Sequence, residues 1–186
     1  MAGRAGGAEP VTPGRGSAAP TDPAATVGRM QKITTFLWFD DQAEEAAAFY
    51  TSLFPNSRIT RVARYGETGP GAAGSVMTVD FELAGQKYTA LNGGPAFTFT
   101  EAISLQVECA DQQEVDELWA KLTADGGQEA PCGWLKDRYG LSWQITPRVL
   151  LDLVAGPDRA KADRVMAAMM RMQKIEIQPL LDAAGG

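Results

Sequence analysis

One order of elements, strand–helix–strand–strand–strand, can be read twice along this 186-residue chain, and that recurrence restricts the fold more than any other feature. Residues 33–39 (ITTFLWF) form a β-branched and aromatic run that closes at Asp40-Asp41, a strand followed by a helix start. Ala43, Ala46, Ala47, Tyr50, Leu53 and Phe54 then trace a single helical stripe, stopped by Pro55-Asn56. Residues 58–65 read as a second strand, and the loop GETGPGAAG leads into a third, where Met77, Val79, Phe81 and Leu83 alternate with polar residues. Ala84-Gly85 turn the chain back, and residues 86–92 return as the hairpin partner.

The order then recurs. Ile103, Leu105 and Val107 alternate with Ser104, Gln106 and Glu108, and Val115, Leu118, Trp119 and Leu122 make a helical stripe that ends at Gly126-Gly127. Extended pieces follow near residues 128–130, 133–136 and 141–145, the last two joined by a turn at Asp137–Gly140. The expectation is an α+β fold of two βαβββ modules, about 32–95 and 102–147. Neither copy has the apolar surface to stand alone, so the two are expected to share one core. Beyond Pro147 the pattern changes to a helical extension over 149–186, with a C-terminal helix starting at Pro157-Asp158, one face of which is traced by Ala162, Val165, Met166, Met169 and Gln173. Four of the seven methionines sit between 166 and 172. Such a stripe is either packing or an adaptable binding surface. Ile175–Leu181 adds an extended piece and a last turn.

Residues 1–29 hold seven Ala, six Gly and four Pro and no aromatic, too little apolar surface to offset ordering, so they read as a disordered tail. They lack the apolar run of a secretory signal, and Met30 is an alternative true start. The chain has no His and a net charge of -6. That excludes Ser-His-Asp and Cys-His nucleophile systems and His-ligated metals, and it argues against nucleic-acid or anionic-membrane partners. No apolar run reaches the ~18 residues of a membrane span. Two cysteines, Cys109 and Cys132, fit a reducing cytoplasm better than a disulfide-stapled domain.

The runs FDDQAEEAAAFYTSLFPNS, LNGGPAFTFTEAISL and CGWLKDRYGLSWQITP resemble the PhnB-like branch of the vicinal oxygen chelate superfamily. That superfamily includes glyoxalase I, extradiol dioxygenases, and bleomycin and fosfomycin resistance proteins. Members of the branch often carry the label 3-demethylubiquinone 3-methyltransferase. The likeness covers Met30 to about Ala184, with the domain itself at 30–148. It implies paired βαβββ modules forming a curved mixed sheet around a cup, commonly in a homodimer. In active enzymes of the superfamily the cup holds a divalent metal on His, Glu or Gln from both modules. By resemblance Gln144 stands where a ligating Glu would. The places near Thr35 and Ser104 lack the implied His, and Thr89 to Asn92 offers no carboxylate. A lone neutral amide does not hold a divalent ion, so no metal and no cofactor are expected. A methyl donor with an adenosyl group wants a glycine loop between a strand and a helix, whereas Gly66–Gly74 joins two strands.

Together these readings give an expected function: a metal-independent, cytoplasmic homodimer that binds a small organic molecule in its cup. The expected lining is Trp38, Ser104, Gln106, Trp134, Trp143 and Gln144, with the tryptophans as an aromatic floor. Ser104, Gln106 and Glu108 share one strand face, and are handles if that face is concave or merely solvating if it is not. Two other classes stay open. One is an enzyme, either a lyase or isomerase using Glu108 as base or Cys132 as thiol, or a glyoxalase-like metal enzyme. The other is an interaction module docking through its Met-rich helix. Asp40-Asp41 read as helix-start residues, and Cys109 as structural.

Overall fold

Alternation in the strands sorts their side chains onto two faces, and both modules resolve that sorting in the same way. The first runs β1 (Thr35–Phe39), α1 (Ala43–Leu53), β2 (Arg58–Arg64), β3 (Val76–Leu83) and β4 (Gln86–Asn92). The second runs β5 (Ser104–Cys109), α2 (Gln112–Thr123), β6 (Gln128–Glu129), β7 (Trp134–Lys136) and β8 (Ser142–Pro147). Each makes a four-stranded mixed sheet, ordered β1-β4-β3-β2 and β5-β8-β7-β6, with its first strand parallel to its last. The duplicated βαβββ topology is therefore present. This computed structural model describes Gly3 and residues 31–186. The tail expected at 1–29 lies, Gly3 apart, outside the described residues.

Local chemistry sets the element ends. Ala84 and Gly85 both have positive φ, 46° and 82°, the geometry of a two-residue primed turn between β3 and β4. Asp111 caps α2 by accepting from the Glu114 N–H, while the Glu114 carboxylate accepts from the Ala110 N–H. The start of α1 corrects the sequence reading. Gln42 occupies the cap position without a side-chain cap, and the free Ala43 N–H instead donates to Asn92 Oδ1 on β4 at 2.8 Å. Asp40 and Asp41 cap nothing by hydrogen bond. They lie on the exposed β1–α1 turn.

The helix-bearing sides of the two sheets share one core. Leu37, Phe39, Val79 and Phe81 from the first module and Leu135, Leu141, Trp143 and Ile145 from the second join a single buried cluster with Tyr50 and Trp119. Tyr50 on α1 meets Trp143 on β8 edge-on, centroids 5.4 Å apart, and Phe54 stacks on the same indole at 6.0 Å. Losing a buried aromatic of this kind costs about 3–5 kcal/mol. Leu105, Val107 and Cys109 face this core, so Ser104, Gln106 and Glu108 face away from it.

The C-terminal segment contains three helices where one was expected: α3 (Arg148–Ala155), α4 (Arg159–Met169) and α5 (Ile177–Gly185). Leu150, Val165, Ala168, Ile175 and Leu180 bury a second, smaller cluster. Arg148 through Ala155 lacks a side-chain cap, and its two charged residues, Arg148 and Asp152, lie four apart on one face, an amphipathic pattern that the sequence reading misses because the segment spans only about two turns. The segment is tied to the second module. Cys132 and Gly133 donate their backbone N–H groups to Met172 and Gln173 carbonyls, and Lys174 pairs with Asp116 and Glu176. Among the described residues no helix is long and apolar enough to cross a membrane.

Candidate functional site

Strand register places a compact set of polar side chains on the outward face of the second sheet. Ser104 is level with Ser142, Gln106 with Gln144 and Glu108 with Thr146 across β5 and β8. Across β7, Lys136 is level with Ser142 and Trp134 with Gln144. In-register neighbours share a face, so one row reads Lys136, Ser142, Ser104 and the next Trp134, Gln144, Gln106. The Gln144 amide crosses between rows, its Nε2 donating to Ser104 Oγ at 2.8 Å. Four of the expected site residues, Ser104, Gln106, Trp134 and Gln144, thus lie together.

At one end of this face is a recess of about 100 Å³ lined by Trp134, Lys136, Ser142 and Glu101. Lys136 Nζ lies 2.6 Å from Glu101 Oε1, and this ammonium holds the Glu101 carboxyl below its usual range. Ser142 is 1% exposed, and its hydroxyl has no hydrogen-bond partner among the described residues. At the other end, β5 is a sheet edge, so Gln106 and Glu108 also overlook a groove of about 310 Å³ floored by Phe54, Leu83, Tyr88 and Leu105.

The other expected residues stand elsewhere. Trp38 belongs to the first sheet, where its indole N–H donates to the Gly94 carbonyl at 2.8 Å and its ring meets Phe97 edge-on. It lines a separate cavity of about 400 Å³ with Phe99, Arg138 and Tyr139. Trp143 is 1% exposed and faces the core, touching the groove from beneath. Glu108 is exposed and pairs with Arg148 at 3.0 Å. Cys132 has a left-handed φ of 63° and turns its Sγ to the Met170 thioether, 3.6 Å away. Lys136, Ser142 and Glu101 were not singled out in the sequence. The first two had a readable signal, because each lies two residues from Trp134 or Gln144 and so shares its face. Glu101 reaches the recess from the linker between modules, which has no period.

The donor set does not fit a divalent cation. At the implied positions stand Ser104 and the Gln144 amide, hydrogen-bonded to each other, and near Thr35 the outward residues of β1 are the aromatic Phe36 and Trp38. Among the described residues no three His, Cys, Asp or Glu side chains cluster as metal ligands. A nucleoside-bearing methyl donor fits no better. The turns that join β1 to α1 and β5 to α2, residues 40–42 and 110–111, contain no glycine, so neither provides the close backbone approach such a group needs.

The family model described as 3-demethylubiquinone-9 3-methyltransferase matches residues 31–146, ending just before α3. The solved structure of the PhnB protein from Bacillus cereus is 44% identical, with a TM-score of 0.58, over 63% of this chain and 99% of that one. Protein PA1353 from Pseudomonas aeruginosa, 18% identical with a TM-score of 0.52 over 63% and 97% of the two chains, shares the fold. The fosfomycin resistance protein FosX from Listeria monocytogenes is 15% identical, with a TM-score of 0.45, over 64% and 94%. No curated protein matches the chain.

Proposed function

The chain belongs to the 3-demethylubiquinone-9 3-methyltransferase family, in the PhnB-like branch of the vicinal oxygen chelate superfamily, and from that premise we propose that it is a metal-independent binder of a small organic molecule. The ligand lies on the outward face of the second sheet. The observation that carries this reading is the two-row array: Ser104, Gln106 and Gln144 present a hydroxyl and two amides on one surface beside the Trp134 ring, with Ser142 buried between Ser104 and Lys136 in the same row. Convergent polar groups next to an aromatic wall orient a ligand and supply apolar contact at once.

In this reading the working form is a cytoplasmic homodimer. Phe36 on edge strand β1 and Ile103 beside edge strand β5 are 62% and 63% exposed, and a second copy laid against these edges covers both. The dimer would also close the polar face into a cup. Glu108 and Cys132 are not assigned chemistry, since one is engaged with Arg148 and the other with Met170.

The test is a thermal-shift and tryptophan-fluorescence screen of aromatic and oxyanion compounds on metal-free protein, with mass measured in solution. A ligand at a hundred times its Kd stabilises by about 2.7 kcal/mol, and Trp134→Phe or Gln144→Ala weakens that effect. A screen in which nothing binds overturns the proposal. Binding that vanishes with chelator moves the protein to the metal enzymes of the superfamily.

A further inference from the structure

We infer that the recess at Lys136 and Ser142 is the seat for a carboxylate on the ligand, and that the chain's own Glu101 carboxylate occupies this seat until the ligand displaces it. The inference rests on the binding reading above and adds the ligand's chemical class, a small organic carboxylate with an apolar body.

Three observations converge. Lys136 carries only donors, and the group it meets at 2.6 Å is a carboxylate oxygen. Beside it, Ser142 is buried with a hydroxyl that meets no partner among the described residues, and an unmade hydrogen bond at a buried group is costly. Glu101 satisfies the lysine and leaves the serine unpaired. An incoming carboxylate has two oxygens and can accept from both. The recess, about 100 Å³, is roughly three times a water's share of liquid volume. It takes a carboxylate head and leaves the body to lie over Trp134 towards Gln144 and Gln106.

The internal occupant is easily displaced. The Glu101 side chain is 64% exposed, and exposed ion pairs hold weakly. Exchanging one carboxylate for another leaves the charge at Lys136 balanced, so no buried charge is created. Glu129 also borders the recess, but it is level with Leu135, which faces the core, and its Oε1 accepts from the Trp119 indole at 2.8 Å. Its charge still opposes an anion in the seat, and the Lys136 ammonium has to outweigh it.

The experiment compares phenylacetate with phenylacetamide by calorimetric titration of the full chain. Phenylacetate should bind at least about tenfold tighter than the amide, and Glu101→Gln should tighten phenylacetate by roughly threefold or more, the scale of an exposed ion pair. Lys136→Gln should abolish the preference and Lys136→Arg should keep it, which separates lost charge from lost folding. Ser142→Ala should weaken phenylacetate by roughly fivefold. Equal binding of acid and amide, or no gain in Glu101→Gln, overturns the carboxylate seat while the binding reading stands. Inorganic phosphate competing as well as phenylacetate overturns the organic class. Binding of neither compound, with a wider panel also silent, sinks both readings.

Discussion

Tyr50 and Asp137, on different modules and 87 residues apart, are joined by a 2.8 Å hydrogen bond from the phenol to carboxylate Oδ2. The same oxygen accepts from the Trp143 indole at 2.8 Å, and Oδ1 accepts from the backbone N–H groups of Tyr139 and Leu141 at 2.9 and 3.1 Å. Asp137 is 2% exposed, so this carboxylate fastens the first module's helix, its own turn and β8 inside the shared core.

Removing the acceptor strands several buried donors at once. Asp137→Ala is expected to destabilise the domain by about 3 kcal/mol or more, because its partners lose their hydrogen bonds without gaining water. Tyr50→Phe removes one donor of four and should cost about 1–2 kcal/mol. Urea unfolding followed by fluorescence measures both, and the ratio between them is diagnostic. If Asp137→Ala costs no more than Tyr50→Phe, the carboxylate does not tie the modules together.

Acidity supplies a second signature of the same group. Burial pushes the Asp137 carboxyl above its ordinary 3.8, only partly offset by the bonds from Trp143, Tyr50, Tyr139 and Leu141. Between the ordinary and the raised value the native state binds the extra proton, so this group's contribution to stability falls as pH rises through that window. Glu101 and Asp116 act in the opposite sense. Their lysine partners lower both, so their contributions are present above the ordinary carboxylate value and fade as pH drops through the lowered ones. The stability difference between wild type and Asp137→Asn should therefore shrink from pH 4 upward. A difference that is flat or grows across this range contradicts the assignment.

Side-chain parity made much of this molecule legible before its structure. Alternation in 76–83 and 104–109 fixed which residues face the core, with Ile103 just before β5 the exception at 63% exposed, and the helical stripes fixed the faces of α1 and α2, so the duplication followed from spacing. The same parity separates Trp143 from Gln144. As neighbours on β8 they point to opposite faces, and the indole goes to the core while the amide joins Ser104. Two features had no local signal. The cap of α1 comes from Asn92, 49 residues away in sequence, and Glu101 arrives from an irregular linker. Contacts set by tertiary placement rather than by period are the ones spacing cannot supply.

Gln112 latches the C-terminal extension to the second module. Its Oε1 accepts from the Ile177 N–H at 2.7 Å, and its Nε2 donates to the Ile175 carbonyl at 3.1 Å and to Asp116. Gln112→Ala should free the Ile177 amide, whose hydrogen exchange is expected to accelerate by roughly tenfold, about the worth of one hydrogen bond. Exchange in β3 and β8 should stay unchanged, since they belong to the main core. Uniform acceleration everywhere would mean that the extension and the core open as one unit rather than separately.

The two cysteines should differ sharply in reactivity under native conditions. Cys109 is fully buried at the end of β5, and burial, aided by the nearby Glu114 and Asp111 carboxylates, pushes its thiol up to about 12. It reacts only when the core opens. Cys132 is half-buried on the loop before β7, beside the exposed Met170, and needs no opening to meet a reagent. A disulfide reagent at pH 8 should therefore label one thiol per folded chain and two in denaturant, with Cys109 slower by at least about a hundredfold because labelling waits on opening of the core. Cys132→Ser should abolish the fast phase and leave the slow one. A fast phase that survives this substitution would place an accessible thiol at Cys109 and contradict the packing of β5 against α2.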